Sequence, residues 1–458
     1  MNPLRFHFAR LAGRLTRFLL RLVGRAASTL PGAVALRLAP GIMAHLASGR
    51  EIMVITGTNG KTTTTALIVR LLEAAGETVV TNAYGANLAS GVASALLAAR
   101  PGTPAILEVD EAAFAKLAGP LQPTHVVVTN IYPDQLDRFP EPAAVRELLR
   151  QGIAATAPDT RLILCADDPE LFPLAGLGGR PTLFFGAATG ELAAADADMA
   201  SACPVCGHKL TYEAVTIAQL GLFSCGSCDC RRPQPDLEIG HREAAGTDGT
   251  AELDILWDGK RGEARLALTG LYNAYNAAAA LLAVASARPR LPREHLLRDL
   301  ETARPAPGRQ ETLYYRGRRL RLILVKNTAG LEETLALVAA APDAGALALL
   351  INNEPADGRD PAWVRAVRSE RFPLPRVPIG IGGSQTTVLA DWLRPQLGDS
   401  EPVEAENDLA MVDRLVELCP PERTIYLLPN YSALFALRRQ LLENGAELHA
   451  DTAAGAGR

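Results

Sequence analysis

The sequence lacks the features that mark several classes of protein. Its 458 residues contain no apolar run of the roughly 18–20 residues that a membrane-spanning helix needs. Arginines interrupt every apolar stretch near the N-terminus, so we do not expect a secretory signal there. Acidic side chains are absent before Glu51, whereas the same segment has eight arginines. The formal net charge of −4 gives no sign of general nucleic-acid affinity, and we expect no nucleic-acid partner.

Cysteine is scarce and unevenly placed. Four of the seven cysteines form two C-x-x-C pairs, while Cys165, Cys230 and Cys419 stand alone. This usage is typical of a reducing compartment with a metal site and does not fit a disulfide framework. We therefore expect a cytoplasmic protein.

Residues 9–25 are predicted to form a basic amphipathic helix. Its arginines recur every three or four positions and share one stripe: Arg10, Arg14, Arg17, Arg21 and Arg25. The simpler interpretation is a helix packed on the protein body with its arginines solvated. The alternative is a helix lying on an anionic membrane surface, which would place the protein at the inner face of the membrane.

From residue 52 onward, short apolar strands alternate with helical segments. This alternation predicts an α/β fold with a mostly parallel sheet covered on both faces, and the length requires two or three domains. The pattern breaks at 199–232, and the proline-rich stretch ARPAPGR (303–309) separates two α/β units. We predict a basic N-terminal helical segment (1–50), a central domain (51–305) with 199–232 inserted, and a Rossmann-like C-terminal domain (306–458).

The segment from Ile52 to Thr63 is predicted to be a strand, a tight turn and a helix start. Gly57 and Gly60 let the backbone curl with its N–H groups facing inward, and the helix N-terminus adds partial positive charge. Lys61 can reach the terminal phosphates of a nucleotide, and Thr62 can hold Mg²⁺. The predicted nucleotide-binding residues of this loop are Thr58, Asn59, Gly60, Lys61, Thr62 and Thr63.

The two cysteine pairs have the spacing of a zinc ribbon. Cys203, Cys206, Cys225 and Cys228 follow the pattern C-x₂-C-x₁₈-C-x₂-C. Each pair is typical of a tight knuckle that presents two thiolates, and four thiolates satisfy tetrahedral Zn²⁺. Full coordination leaves no open position, so we predict a structural zinc and not a catalytic one.

The phosphate loop resembles that of the Mur ligase family, where it has the form T-G-T-N-G-K-T-T. Three further motifs agree: LEVDEA at 107–112, GLYNAYNAAAA at 270–280 and PGR at 307–309. The resemblance implies ATP and Mg²⁺ as cofactors, with Glu108 on the metal and Arg309 on the phosphates. Asn273 and Asn276 would lie near the nucleotide base. Phosphoryl transfer of this kind is catalysed chiefly by positioning and by charge neutralisation.

The ribbon and two C-terminal motifs resemble one branch of this family, the synthetase subunits of lipid II isoglutaminyl synthases. The motifs are LVKNTAGLEE at 324–333 and INNEPADGRDPAW at 351–363. The resemblance implies ATP-dependent amidation of the D-glutamate α-carboxylate of the lipid II stem peptide, through an acyl phosphate, to D-isoglutamine. It also implies a heterodimer with a glutaminase of the class I amidotransferase type (GatD type), which supplies ammonia. The substrate would be lipid II or its precursor.

The same resemblance implies catalytic residues in the C-terminal domain. An aspartate of the ADGRD segment would complete the Cys–His pair of the partner glutaminase, where an acid orients and stabilises the histidine. We favour Asp360 over Asp357, because Asp-Gly is common turn chemistry and suits Asp357. Lys326 would touch the ATP phosphates or the attacked carboxylate, and the alternative is an ordinary surface lysine.

Two other functions fit parts of the sequence. A freestanding ligase of the muramyl-peptide or folylpolyglutamate kind would add an amino acid without a partner, but the ribbon and the ADGRD segment disfavour it. A nucleic-acid-binding ATPase with a zinc ribbon is disfavoured by the net negative charge and by the lack of a basic stripe with interleaved aromatic side chains.

Overall fold

Two α/β units, each built on its own sheet, follow a short helical N-terminal segment, and the α/β class predicted from the sequence is confirmed. The computed structural model describes residues 3–25, 27–82, 85–132, 141–189, 193–194, 201–243, 250–303, 309–354, 357, 361–368, 374–398 and 400–448. In these ranges the helices are α1 (Pro3–Leu22), α2 (Leu30–Leu38), α3 (Ile42–Ala47), α4 (Lys61–Ala74), α5 (Ala89–Ala98), α6 (Glu111–Leu121), α7 (Pro142–Ala154), α8 (Leu271–Ala287), α9 (Arg293–Leu300), α10 (Thr328–Ala340), α11 (Thr386–Leu397), α12 (Asp408–Leu418) and α13 (Tyr431–Glu443). The strands are β1 (Ile52–Thr56), β2 (Val80–Thr81), β3 (Ala105–Glu108), β4 (His125–Val128), β5 (Arg161–Cys165), β6 (Thr182–Ala187), β7 (Ala193–Ala194), β8 (Leu210–Val215), β9 (Gly221–Cys225), β10 (Leu237–Glu243), β11 (Ala251–Trp257), β12 (Lys260–Leu266), β13 (Arg309–Tyr315), β14 (Arg318–Ile323), β15 (Ala344–Leu350), β16 (Ile379–Gly382), β17 (Thr424–Pro429) and β18 (Glu447–Leu448).

The larger sheet is parallel at its centre. Among the described residues it has the strand order β12-β11-β10-β6-β5-β4-β1-β3-β2. Near one edge, β11 is antiparallel to both of its neighbours, β10 and β12. β1 lies between β3 and β4, with Val54 opposite Leu107 on one side and Val126 on the other. All of β1 is buried, as expected for a central strand covered on both faces. Because parallel strands end at the same edge, the residues that follow β1, β3 and β4 meet there.

The smaller sheet forms the second unit. Its order in the described part of the chain is β16-β15-β17-β14-β13-β18, and β14, β15, β16 and β17 are parallel. Side chains of β15 alternate between the two faces, as the strand period of two requires. Ala348 and Leu350 pack in one apolar cluster with α12 and α13, whereas Leu347 and Leu349 pack in another with α10 and α11.

The inserted module has a small antiparallel sheet that the sequence did not reveal. β8 and β9 pair with Leu210 opposite Cys225, and the two-residue β7 pairs with β8. We call β8, β9 and the turn at 216–220 the ribbon hairpin. Burial in β8 follows no strict alternation, so the segment lacks the regular pattern by which a half-buried strand is predicted.

The basic N-terminal segment folds into α1, α2 and α3, and α1 begins six residues before the predicted start at residue 9. α1 packs on α2 and α5. Ala9 and Gly13 are buried in this contact, and a Cβ atom at Gly13 would crowd Pro31 and Leu97. In the described part of the chain, no helix is long and apolar enough to cross a membrane.

Candidate active site and metal centre

The predicted phosphate loop connects β1 to α4, at the edge where the parallel strands end. Gly57 and Gly60 have φ values of 116° and 86°, in the region that favours glycine. A Cβ atom at Gly57 would overlap the side chain of Thr129, and one at Gly60 would overlap Asn276. Both glycines are therefore needed for the loop to lie against its supporting side chains.

Lys61 is the buried cation of the loop. Its ammonium group donates to the carbonyl oxygen of Gly57 and, at 3.2 Å, to that of Thr58. It also lies 3.4 Å from the Glu111 carboxylate in a largely buried ion pair. Glu111 was not among the predicted site residues, although it lies in the LEVDEA motif that supplied Glu108.

Hard oxygen ligands meet beside the loop. The Thr62 hydroxyl donates to the Glu108 carboxylate at 2.9 Å, and Arg309, from the start of β13, approaches the same hydroxyl at 3.4 Å. Asn87 donates to the second carboxylate oxygen of Glu108 at 3.2 Å, and Asn82 bonds to its backbone. A hydroxyl and a fixed carboxylate are ligand types that Mg²⁺ prefers, so these residues fit the Mg²⁺ that the loop motif predicts.

Side chains that follow β4 and side chains of α8 form hydrogen bonds with the phosphate loop and the start of α4. Asn130 accepts the backbone N–H of Asn59 at 2.9 Å, and the Thr129 hydroxyl donates to the Asn59 carbonyl at 2.6 Å. Asn276 accepts from Thr64 at 3.2 Å and donates to Asn273 at 3.2 Å. The predicted pair Asn273 and Asn276 thus lies against the loop as well as in the cleft beside it.

The C-terminal unit reaches the loop through two neighbouring residues that follow β14. The Lys326 ammonium group donates to the Thr58 carbonyl at 2.8 Å. Asn327 and Asn59 exchange side-chain hydrogen bonds of 3.1 and 3.4 Å. Lys326 is therefore held at the junction of the two units and is not an isolated surface lysine.

The structure gives Asp357 a structural partner. Its buried carboxylate accepts the Ser432 N–H at 2.8 Å and the Ser432 hydroxyl at 2.5 Å, which fixes it to the N-terminus of α13. The Asp357 N–H donates to the carbonyl of Glu354, three residues earlier, at 2.8 Å. Asp360 lies outside the described residues.

A cleft with about 910 Å³ of empty space, open to solvent, lies beside the loop between the two units. It is lined by the loop, by α8, by the start of α10 and, unexpectedly, by the ribbon hairpin. Ile217 and Leu220 from the hairpin turn form part of its wall. Two neighbouring residues hold the turn in place. Gln219 donates to the Ile131 carbonyl at 2.6 Å, and the Thr216 hydroxyl lies 2.8 Å from the Tyr275 hydroxyl.

Asp167 ties the hairpin to the central unit. Its carbonyl accepts the Gly221 N–H at 2.9 Å, and its carboxylate accepts from Tyr275 and, at 2.5 Å, from Arg232. Burial raises the pKa of the Asp167 carboxyl, and the nearby Arg232 guanidinium opposes that shift. These contacts join residues on both sides of the cysteine knuckle Cys225–Cys228 to the body of the domain.

The four cysteines come together as the sequence predicts. All four sulfur atoms lie within 4.8 Å of one another, with Cys203 and Cys228 at 3.6 Å and Cys206 and Cys225 at 3.5 Å. Tetrahedral zinc–thiolate bonds of about 2.3 Å place neighbouring sulfurs at about 3.8 Å, so the donor set fits Zn²⁺. The cluster is compatible with a structural metal site.

Comparison with known proteins agrees with this geometry. Residues 55–220 match the family model "Mur ligase middle domain", and residues 324–434 match "MurT ligase C-terminal". The structure resembles MurF ligase from Thermotoga maritima, with a TM-score of 0.64 and 15% identity over 90% of this chain and 83% of that one. Fold and site together define an ATP-dependent ligase with the Mur ligase architecture.

Two full-length relatives narrow the class. The chain is 33% identical to the lipid II isoglutaminyl synthase (glutamine-hydrolyzing) subunit MurT of Streptococcus pneumoniae, over 94% of this chain and 96% of that protein. It is 28% identical to the MurT subunit of Staphylococcus aureus strain COL, over 95% and 96%. The chain belongs to the MurT family.

Proposed function

We propose that this chain amidates the α-carboxylate of the D-glutamate residue in the lipid II stem peptide, using ATP and ammonia from a glutaminase partner. The observation that carries the proposal is that Lys61, Glu108 and Arg309 lie together at the phosphate loop. The chain is also similar to a MurT subunit over 94% of its length. The name of that relative includes glutamine hydrolysis and describes it as a subunit, which supports the ammonia source and the partner.

The chemistry needs a leaving group, because a carboxylate cannot expel oxide. A carboxylate oxygen attacks the γ-phosphorus of ATP, the bond to ADP breaks, and an acyl phosphate forms. Ammonia then attacks the carbonyl carbon, inorganic phosphate leaves, and a proton is lost from nitrogen to give the amide. Bound Mg²⁺ would neutralise phosphate charge, held by Thr62 and Glu108. Lys61 and Arg309 supply fixed positive charge as the γ-phosphoryl group moves.

Lys326 and Asn327 support a role for the unit junction in this reaction. Both residues hold carbonyl or amide groups of the phosphate loop from the C-terminal side. In the proposal, Lys326 orients the loop and contacts the phosphates or the attacked carboxylate. Phosphoryl transfer of this kind depends on such positioning.

In the proposal, an aspartate of the ADGRD segment completes the Cys–His pair in the active site of the glutaminase partner. Asp360 is the proposed residue, because the Asp357 carboxylate is already bonded to Ser432. In that role the carboxylate orients the partner's histidine and stabilises its charged form.

Replacing Asp360 by asparagine is expected to abolish glutamine-dependent amidation and to leave amidation driven by added ammonia within about twofold of normal. The reason is that the residue would act on glutamine hydrolysis alone. Asp357→Asn is the matched control, since it weakens the contact with Ser432 and should affect both reactions through local stability. Both rates are measured on lipid II by mass spectrometry, and equal loss of both in Asp360→Asn would assign the residue elsewhere.

The experiment that tests the whole proposal is co-purification with a class I glutaminase, followed by assay of lipid II amidation. We expect product only when ATP is present together with a source of ammonia. That source is either added ammonia or glutamine hydrolysed by the partner. Ligation of a free amino acid to the same carboxylate, without partner or ammonia, would show the chain to be a freestanding ligase instead.

A further inference from the structure

The outer face of α1 is covered with large apolar side chains. At about 100° per residue, their positions fall in one sector roughly 100° wide. The residues, with more than half of each exposed, are Leu4, Phe8, Leu11, Leu15, Phe18, Leu19 and Leu22. Leu11 is 67% exposed and Phe18 59%, where residues of a packed helix would be buried. A row of this size and regularity on a surface marks an interaction site.

The exposed row is not the face by which α1 packs on the protein. That contact uses Ala9 and Gly13, which lie on the opposite side of the helix and are buried against α2 and α5. Small residues let the helix axis approach the body closely and leave the bulky side chains pointing outward. Of the two interpretations drawn from the sequence, packing on the body accounts for this narrow face and not for the apolar row.

Charge around the row identifies the kind of partner. Arg10, Arg14, Arg17 and Arg21 fall along one border of the apolar sector at the same helical spacing. The first 50 residues have eight arginines and no acid to neutralise them. A wide apolar stripe bordered by arginine fits the interface of a bilayer with anionic headgroups, where acyl chains receive the apolar groups and phosphates receive the guanidinium groups.

We propose that the outer face of α1 binds the surface of an anionic lipid bilayer, with the helix lying in the plane of the interface. The inference does not rest on the proposed function, because vesicle binding requires neither substrate nor glutaminase. Its arginines supply the attraction to anionic lipid, and its leucines and phenylalanines supply the insertion into the headgroup region.

Flotation of the purified full-length chain with vesicles tests this proposal. One vesicle population is phosphatidylcholine alone, and the other also contains phosphatidylglycerol. We expect binding to the second population, weakened by salt, and a loss of about tenfold or more in Leu11→Gln/Phe18→Gln, because both side chains would insert into the apolar part of the interface. Arg17→Gln/Arg21→Gln should weaken binding to the anionic vesicles and leave the background with phosphatidylcholine alone unchanged.

The matched control is Leu418→Gln, which removes a similarly exposed leucine, 54% exposed, at the end of α12 and should bind like the unaltered chain. Unchanged ATP affinity and thermal unfolding would show that the α1 variants are folded. Equal binding of the unaltered chain and Leu11→Gln/Phe18→Gln would overturn the proposal, as would equal binding to both vesicle types. Self-association lost in the same variant, without vesicle binding, would instead assign the face to a protein–protein contact.

Discussion

Replacing Lys61 by alanine is expected to lower ATP-dependent turnover by about 100- to 1,000-fold, the effect of removing one fixed charge-stabilising group from an active site. The ammonium group is buried, and it is held by the Gly57 and Thr58 carbonyls and by Glu111. A buried cation in this position acts in a low-dielectric site, where its attraction for transferring phosphate is strongest. The measurement is ADP release with saturating lipid II and ammonia.

Lys116→Ala is the control for that experiment, because Lys116 is an exposed lysine on α6, the helix that also supplies Glu111. It should turn over normally. Since Lys61→Ala also leaves the Glu111 carboxylate without that ammonium group, Lys61→Ala/Glu111→Gln is made in parallel. If turnover returned in the double variant, the loss would belong to the ion pair and not to phosphate binding. Normal turnover in Lys61→Ala itself would refute the assignment of the loop.

Replacing Cys225 by serine is expected to remove zinc and to weaken ATP binding by about tenfold, equivalent to about 1.4 kcal/mol. β9 runs from Gly221 to Cys225, so one short strand joins the cleft wall at Leu220 to a metal ligand. Three thiolates hold the metal less well than four, and the hairpin then loses the ordering that places Ile217 and Leu220 in the wall of the cleft beside the phosphate loop. The fold of the C-terminal unit should be unaffected.

Zinc content and ATP affinity are measured on the same preparation, by elemental analysis and by calorimetry. Cys419→Ser is the matched control, because Cys419 is a buried cysteine at the end of α12, outside the ribbon. It should keep both zinc and nucleotide affinity. A Cys225→Ser protein that lacks zinc yet binds ATP as tightly as the unaltered chain would show that the hairpin wall does not depend on the metal.

Local signals predicted the phosphate loop and the cysteine cluster well. The loop needs glycine at two turns, lysine at the helix start and a preceding apolar strand, and all of these are adjacent in sequence. The C-x-x-C pairs are also local, and only their meeting across 18 residues depends on folding. Elements built on such short-range chemistry are the ones that a single sequence reveals.

Contacts made by distant segments were not predictable in this way. Glu111 reaches Lys61 because β3 lies beside β1, and no spacing rule connects residues fifty positions apart. α6 lies between β3 and β4, and its N-cap Asp110 places Glu111 in the first turn of the helix. The role of Ile217 and Leu220 as a cleft wall depends on where the hairpin docks, through Asp167 and Gln219.

The helical N-terminal segment shows a limit of a different kind. The arginine spacing indicated an amphipathic helix, but the sequence could not tell which apolar face would be covered by the protein. The structure shows that Ala9 and Gly13 form the covered face. A face of small residues gives a weaker hydrophobic signal than a row of leucines, so a search for the most apolar side selects the wrong one.

The short strand between the cysteine cluster and the cleft has a consequence for spectroscopy. From Leu220 to Cys225 the chain spans about 17 Å at the usual rise of about 3.3 Å per residue, and Gly221–Cys225 is a strand throughout. Co²⁺ bound by the four thiolates would therefore lie one short strand away from the wall of the cleft in which we propose that the nucleotide binds. Its paramagnetic shifts would offer a way to follow nucleotide binding in that cleft, without a label attached to substrate or partner.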